Sequence, residues 1–400
     1  MKKIIIGISI LVILLLLSIT NIILRHQSNQ KYTEQEEHTL EQEYTTTTQI
    51  GTPQLSTEER ILEEMTVEQK VGQLFIFGIN GNQQIEESNK EFLKYSQPGG
   101  VILFEKNIKN KEQLKNLIKE IQSTSKTPLF ISIDQEGGIV PRIKWNSIYT
   151  KSPKDITTRE QAYALAVNRG SLLRELGFNM NFSPVAEYIT NPKSFIYPRT
   201  FNGTPQEVIE KVSSTILGYR SVGIIPVVKH FPGHGNDSLD PHHNIAFVNI
   251  KEEDWDGYIE PFKEILQKPY TDAVMVGHIK FTNIDKFPAS ISSEIIKNRL
   301  KNTLNYEGLI ISDDMQMKAL NSFGDSNEIA KQALEAGEDL LIYATYRPDE
   351  NSLQKSVYSH ILQEVKKGNM NIDEKVLKIL RRKIQYKIID INNYPENTPN

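Results

Sequence analysis

The sequence predicts one (β/α)8 barrel on three observations: eight short apolar runs that read as strands, amphipathic segments alternating with them, and polar residues gathered where the runs end. Continuous apolar runs, as opposed to alternating ones, are expected of parallel strands covered on both faces. The strand candidates are Val71–Ile79, Gly100–Phe104, Leu129–Asp134, Met180–Glu187, Ile224–His230, Ala273–Phe281, Gly308–Asp313 and Asp339–Ala344. Helical periodicity marks Lys111–Ile121, Thr158–Leu176, Pro205–Tyr219, Lys251–Leu266, Ser293–Leu304 and Glu328–Ala336, with two more helices after the last strand. Thr66 with Gln69 three residues on is a capping-box signature, opening a helix that leads into the first strand. Strand-helix units in this number match a closed barrel, whose functional groups collect on the loops after the strands. A doubly wound open sheet is the alternative, but no Gly-x-Gly-x-x-Gly turn follows the first strand.

The barrel does not need all 400 residues. After Lys2 and Lys3 a largely apolar stretch runs from Ile4 to Leu24, long enough to cross a hydrocarbon core of roughly 30 Å at about 1.5 Å per residue. No small-x-small cleavage site follows Leu24, so residues 1–26 read as an uncleaved signal anchor with the rest of the chain exported. The alternative is a removed signal peptide and a secreted protein. Residues 27–55, dominated by Gln, Glu and Thr, read as a flexible polar linker, residues 56–388 as the folded domain, and residues 389–400 as a polar tail.

Composition excludes several classes. Lys and Arg number 46 against 50 Asp and Glu, and a net charge of −4 offers no electrostatic footprint for nucleic acid. Without cysteine there can be no disulfide, thiolate zinc site, iron–sulfur cluster or cysteine nucleophile. Hydrophobic residues at 38%, charged residues at 24% and a mean hydropathy of −0.41 describe an ordinary globule.

The unusual residues sit where strands end. The third run closes on Asp134-Gln135-Glu136-Gly137-Gly138, with Arg142 following. Asp134 can be a satisfied loop carboxylate, but two glycines so close behind it point to a backbone shaped around a ligand. The fourth run ends at Glu187, ahead of Arg199, and Glu187 reads either as a support or as a ligand contact. The fifth leads into Lys229-His230-Phe231-Pro232-Gly233-His234-Gly235, and four of the eight histidines lie between His230 and His243. Metal binding has to be weighed for such a loop, yet Pro232 and Gly233 break any regular His-x-x-x-His helical spacing. The seventh run ends in Ser312-Asp313-Asp314. A carboxylate ending a buried strand is costly unless hydrogen-bonded or paired, so chance is a poor account of Asp313.

With those residues collected, the chain resembles the family 3 glycoside hydrolases, in particular their β-N-acetylhexosaminidase branch, over about residues 57–388. The most specific stretch is Lys229 to Gly235 with Asp240-x-His242; Asp134 to Gly138, Gly99 to Phe104, Pro288-Ala289-Ser290 and Ser312-Asp313-Asp314 support it. The resemblance implies a cofactor-free and metal-free enzyme that removes terminal β-linked N-acetylglucosamine, with cell-wall fragments as the expected glycan. It implies Asp313 as nucleophile and His242, partnered by Asp240, as general acid/base. Asp134, Arg142, Arg199, Lys229 and His230 are implied to grip the sugar hydroxyls, with Glu187 beside them. Five positions depart from the family's usual pattern, which has Arg at Ile139, Ser at Pro241, Asp at both Asn236 and Glu187, and Pro at Ala246. Ile139 and Glu187 bear on sugar contacts, and Pro241 on the stiffness of the catalytic loop.

The chemistry needs one group that attacks an oxocarbenium-like centre and one that protonates the departing oxygen. Imidazole, with an unperturbed pKa of about 6.5, suits the second task near neutrality, and a neighbouring carboxylate fixes its tautomer. His242 keeps the Asp-x-His spacing from Asp240, whereas His243 reads as a loop-packing residue. The glycine-rich loop carrying the dyad is expected to close over substrate. The alternatives are a β-glucosidase or broad exo-glycosidase of the same family, a metal-dependent hydrolase using the His-rich loop, and a non-catalytic wall-binding module.

Overall fold

The computed structural model describes residues 55–236, 245–344 and 350–394. The expected anchor and linker, and the residues Asp240, His242 and His243, lie outside the described residues. Among the described residues no helix is long and apolar enough to cross a membrane.

Nine strand segments form one parallel sheet: β1 (Phe75–Gly78), β2 (Gly100–Leu103), β3 (Phe130–Ile133), β4 (Met180–Asn181), β5 (Ile225–Pro226), β6 (Val228–Phe231), β8 (Ala273–Val276), β10 (Leu309–Asp314) and β11 (Leu340–Tyr343). A separate parallel pair joins β7 (Ala246–Val248) to β9 (Ile279–Phe281). The main order is β5-β4-β3-β2-β1-β11-β10-β8-β6, and its two ends belong to one strand interrupted at Val227. The first half of that strand pairs with β4 and the second with β8, so the sheet closes on itself as a barrel of eight strand positions. An isolated bridge between Val185 and Lys229 adds to the closure. Every residue of β1, β2, β3, β8 and β11 is buried, which is why these runs carry no alternation.

Several boundaries differ from the sequence expectation, each for a local reason. Val71 and Gly72 end a helix, Val67–Gly72, whose capping box is present as expected: the Thr66 hydroxyl accepts from Gln69 N and the Gln69 side chain from Thr66 N. The strand therefore starts at Phe75, after a close packing in which a Cβ on Gly72 would lie 1.8 Å from Ser96 O. The run Met180–Glu187 is a regular strand only at its first two residues; beyond them Ser183 N turns back to donate to Asn181 O at 2.8 Å, and Val185 makes only the isolated bridge to Lys229. Ala273–Phe281 breaks at Gly277 and His278 into β8 and β9. The expected helix Lys251–Leu266 is three short pieces, and Glu294–Thr303 winds as a π-helix, with Leu304 N donating to Arg299 O at 2.9 Å.

The helix Asp373–Gln385 lies under the N-terminal ends of the strands and floors the barrel. Lys383, fully buried, donates to Gln73 Oε1 just before β1 at 2.7 Å and sits 5.0 Å from the Phe130 ring at the start of β3. Arg382 and Arg220 both pair with Asp272 ahead of β8, and Tyr386 donates its hydroxyl to the same carboxylate. Lys378 donates to Asp339 Oδ2 ahead of β11 at 2.8 Å. The carboxylates Asp272 and Asp339 on this side are ion-paired and structural; the opposite rim holds the site.

Candidate active site

Asp134 leaves the apolar strand β3 at the rim and receives Lys229 Nζ from β6 at 2.6 Å. The same ammonium lies 2.6 Å from Glu136 Oε1. Glu136 also takes a two-pronged grip from Arg199, Nε to Oε2 at 2.9 Å and Nη2 to Oε1 at 2.8 Å. One buried carboxylate thus holds two cations, a planar guanidinium and a point-charge ammonium. Burial would push the Glu136 carboxyl up, but Arg199 and Lys229 hold it well below the usual carboxylate range. Arg142 completes the row, its Nη2 3.5 Å from Asp134 Oδ2 and its guanidinium 5.5 Å from the Phe104 ring centroid.

His230 stands next to this row, with its Nε2 3.2 Å from Arg199 Nη2 and its Nδ1 3.0 Å from Glu187 Oε1. A guanidinium can only donate, so Nε2 must accept and the ring proton sits on Nδ1, donated to Glu187. Burial lowers His230 to about 4 against the pull of Glu187, and the ring is neutral at physiological pH. Glu187 reaches further, accepting His234 N on Oε2 at 2.6 Å and His234 Nδ1 on Oε1 at 2.9 Å. Burial would raise Glu187, yet these two imidazoles hold it below the usual range. Both its oxygens are occupied and it is 2% exposed, which makes it a brace for two histidines and closes it off as a direct sugar contact.

Asp313 is half-buried near the end of β10, and its Oδ1 accepts Asp314 N at 2.8 Å. Burial alone would raise its pKa; the neighbouring His230 and His278 rings, the Asp314 N–H and the Lys229 ammonium outweigh that and leave it at about 2. It is an ionised carboxylate throughout the working range of most enzymes.

Of the residues named from the sequence, Asp134, Arg142, Arg199, Lys229 and His230 join in one network, Glu187 backs His230, and Asp313 lies in the field of His230 and Lys229. Asp240 and His242 fall outside the described residues. Two buried residues carry this network without having been singled out. Glu136 is one, visible beforehand only as a carboxylate between Asp134 and the glycines. Arg169 is the other: it donates to the carbonyls of Ile148, Glu136 and Lys151 at 3.0, 2.7 and 2.8 Å. Arg169 also corrects the reading of the glycines. Gly137, at φ 85°, folds the loop onto that hub, since a Cβ there would lie 2.1 Å from Lys151 O and 2.7 Å from Arg169 Nη2. The tight packing is against the protein's own arginine and not against a ligand. Among the departures from the family pattern, Ile139 is 64% exposed, and Asn236 Oδ1 accepts Thr190 N at 2.8 Å and Asn191 N at 2.9 Å.

Glu187, His230 and His234 are the one group among the described residues close enough to hold a metal ion. The hydrogen-bond pattern opposes that use. Metal on His230 Nδ1 would move the proton to Nε2, where it would face the donor Arg199, and would add a dication beside a guanidinium.

The glycosyl hydrolase family 3 N-terminal domain matches residues 66–382. A β-hexosaminidase of Haemophilus influenzae is 31% identical over 277 residues, 66% of this chain and 78% of its own length. A family 3 β-N-acetylglucosaminidase from Paenibacillus sp. str. FPU-7 superposes with a TM-score of 0.74 and 33% identity over 81% of this chain, which spans 63% of that protein, just under two thirds of its length. Zn-bound CbsA from Thermotoga neapolitana follows at a TM-score of 0.70 and 25% identity, over 80% of this chain and 69% of its own. With the barrel, the rim network and a family match covering most of the residues, the chain belongs to glycosyl hydrolase family 3.

Proposed function

We propose that this glycoside hydrolase is an exo-acting, retaining β-N-acetylhexosaminidase that releases terminal β-linked N-acetylglucosamine. The observation that carries the reading is Asp313: a carboxylate at a strand end, held ionised at about 2 beside the Lys229 and His230 cluster. In the first step an Asp313 oxygen bonds to the anomeric carbon while the glycosidic C–O bond breaks and His242 gives its proton to the departing oxygen. In the second, His242 takes a proton from water, the water oxygen bonds to the anomeric carbon, and the Asp313 ester is released. Asp240 orients the imidazole. Asp134, Lys229, His230, Arg142 and Arg199 supply hydrogen bonds to the sugar hydroxyls, with Glu136 and Glu187 fixing the cations and the ring. The names of the two relatives above, a β-hexosaminidase and a β-N-acetylglucosaminidase, support the choice of sugar. Peptidoglycan fragments are the proposed source of that sugar, and residues 4–24 the proposed membrane anchor.

The test is turnover of aryl glycosides by the purified protein. A clear preference for the N-acetylglucosaminide and a first product of retained configuration are expected, with a slow fluorosugar inactivator labelling Asp313 and Asp313→Ala inactive but folded. Equal turnover of the glucoside would favour the broad exo-glycosidase; inactivation by chelator with recovery in zinc would favour the metal-dependent reading. Retention with membranes after a salt wash checks the anchor, because salt screens surface charge and leaves a buried helix in place.

A further inference from the structure

His278 has no part in the chemistry proposed above, yet it is fully buried in the break between β8 and β9, close behind the nucleophile. A Cβ on its neighbour Gly277 would lie 3.1 Å from His230 Cβ, so this break is packed against the sugar-binding row. On the other side, His278 Nε2 is 2.9 Å from the carbonyl oxygen of Asp314. A carbonyl can only accept, so Nε2 carries the proton and donates it. His278 Nδ1 is 2.6 Å from Ser290 Oγ, and in the neutral ring it accepts the hydroxyl proton. Ser290 is itself fully buried, in the turn Ala289–Ile291. The result is a fixed line of donors from Ser290 through His278 to the Asp314 carbonyl.

Asp314 is the residue whose N–H holds Oδ1 of Asp313. Its own carboxylate accepts Gln316 N and Ala344 N, both at 3.1 Å, which ties the turn to the end of β11. The turn is therefore pinned at its side chain by β11 and at its carbonyl by His278. Rotation of the peptide units around Asp314 would swing the N–H that fixes the Asp313 carboxylate.

We propose that His278 is a positioning residue for the nucleophile: acting through the Asp314 carbonyl, it sets the orientation in which Asp313 meets the anomeric carbon. The inference rests on the reading of Asp313 as nucleophile. Its expected signature is loss of rate without loss of binding, because the sugar-gripping row is left in place. An ångström-scale misplacement of a reacting group costs up to about 100-fold in rate.

The test compares His278→Phe, His278→Gln and His278→Asn in the full-length protein, reading melting temperature, kcat and KM on the aryl N-acetylglucosaminide, and the rate of fluorosugar labelling. His278→Phe, which cannot donate, should lower kcat and the labelling rate roughly 10- to 100-fold with KM changed less than about 3-fold. His278→Gln, whose amide nitrogen reaches the place of Nε2, should recover most of the loss. His278→Asn, too short to reach, should not, and this pair decides the matter if the Phe variant fails to fold. Ser290→Ala should move kcat in the same direction by a smaller factor. Labelling of Asp313 at the wild-type rate in folded His278→Phe, or equal rates in the Gln and Asn variants, would overturn the proposal while the nucleophile assignment stands. Labelling of a different residue in the wild-type protein would overturn both.

Discussion

At the scale of single residues, burial and partner geometry separate carboxylates open to the barrel mouth from carboxylates that brace their neighbours. Asp313 and Asp134 are partly exposed at the mouth, whereas Glu136 and Glu187 are 2% exposed and committed to cations and imidazoles. The acid/base prediction belongs here. General acid assistance contributes about 10²–10⁴-fold and matters most for a poor leaving group. His242→Ala should slow cleavage of a natural disaccharide far more than the glycosylation step of an activated nitrophenyl glycoside, with azide restoring turnover of the latter. His243→Ala should show neither effect; equal losses on both substrates, or the selective loss in His243→Ala, would reassign the acid. The ends of the strands made Asp134, Lys229, His230 and Asp313 legible in the sequence, because a charged residue closing an apolar run is conspicuous. Glu136, His278 and Arg169 were not, because their roles depend on partners 63, 36 and up to 33 residues away in the chain.

At the scale of elements, the loop after β3 shows how backbone conformation reaches the chemistry. Gly137 allows the close approach that lets Arg169 hold the Glu136 carbonyl, and Glu136 in turn anchors Arg199 and Lys229. A side chain in the left-handed region costs of order 1–3 kcal/mol, and here the added methyl also meets backbone. Gly137→Ala should lose at least about 2 kcal/mol in urea unfolding, with a raised KM. An unchanged KM would show that the hub does not transmit to the Arg199 and Lys229 network. The strands were readable because both faces are buried and leave unbroken apolar runs. The breaks at Val227 and at Gly277–His278 were not, since hydrophobicity continues across them and only pairing with different neighbours reveals them.

At the scale of the whole molecule, the barrel divides its charges between a reactive rim and a structural floor, and the floor was the least legible part. Arg382 and Lys383 lie in a strongly amphipathic helix and pass for solvent-facing residues until the barrel underside is seen above them. Glu338 is the outlier of this floor: both carboxyl oxygens are buried without a hydrogen-bond partner, and burial followed by the charge of Asp339 pushes its pKa well above 4.5. The folded state therefore keeps a proton that the unfolded chain releases, and stability falls as pH rises past the unfolded value. Glu338→Gln should remove that slope, so its melting temperature should exceed the wild type's by a margin that grows from about pH 5 to pH 8. A variant less stable than wild type at the upper end would mean that Glu338 is ionised and paired in the native protein. Activity should be unchanged, as the substitution lies across the barrel from the mouth.

The first and last described segments meet on that floor. Arg381 pairs with Glu58 at 2.9 Å, Arg60 Nη2 donates to Tyr394 O at 3.3 Å, and Ile61 and Leu62 pack in the same apolar cluster as Ile379 and Leu380. The order in which the chain is synthesised is consequently not written into the folded domain. A short linker could join the neighbourhoods of Leu55 and Tyr394, and new ends could be opened at the exposed turn Gln267–Pro269 with no strand or rim contact cut. Such a circular permutant would begin with β8, bring the His278 and Asp313 segments to the front of the gene, and still close the barrel through the interrupted strand at Val227.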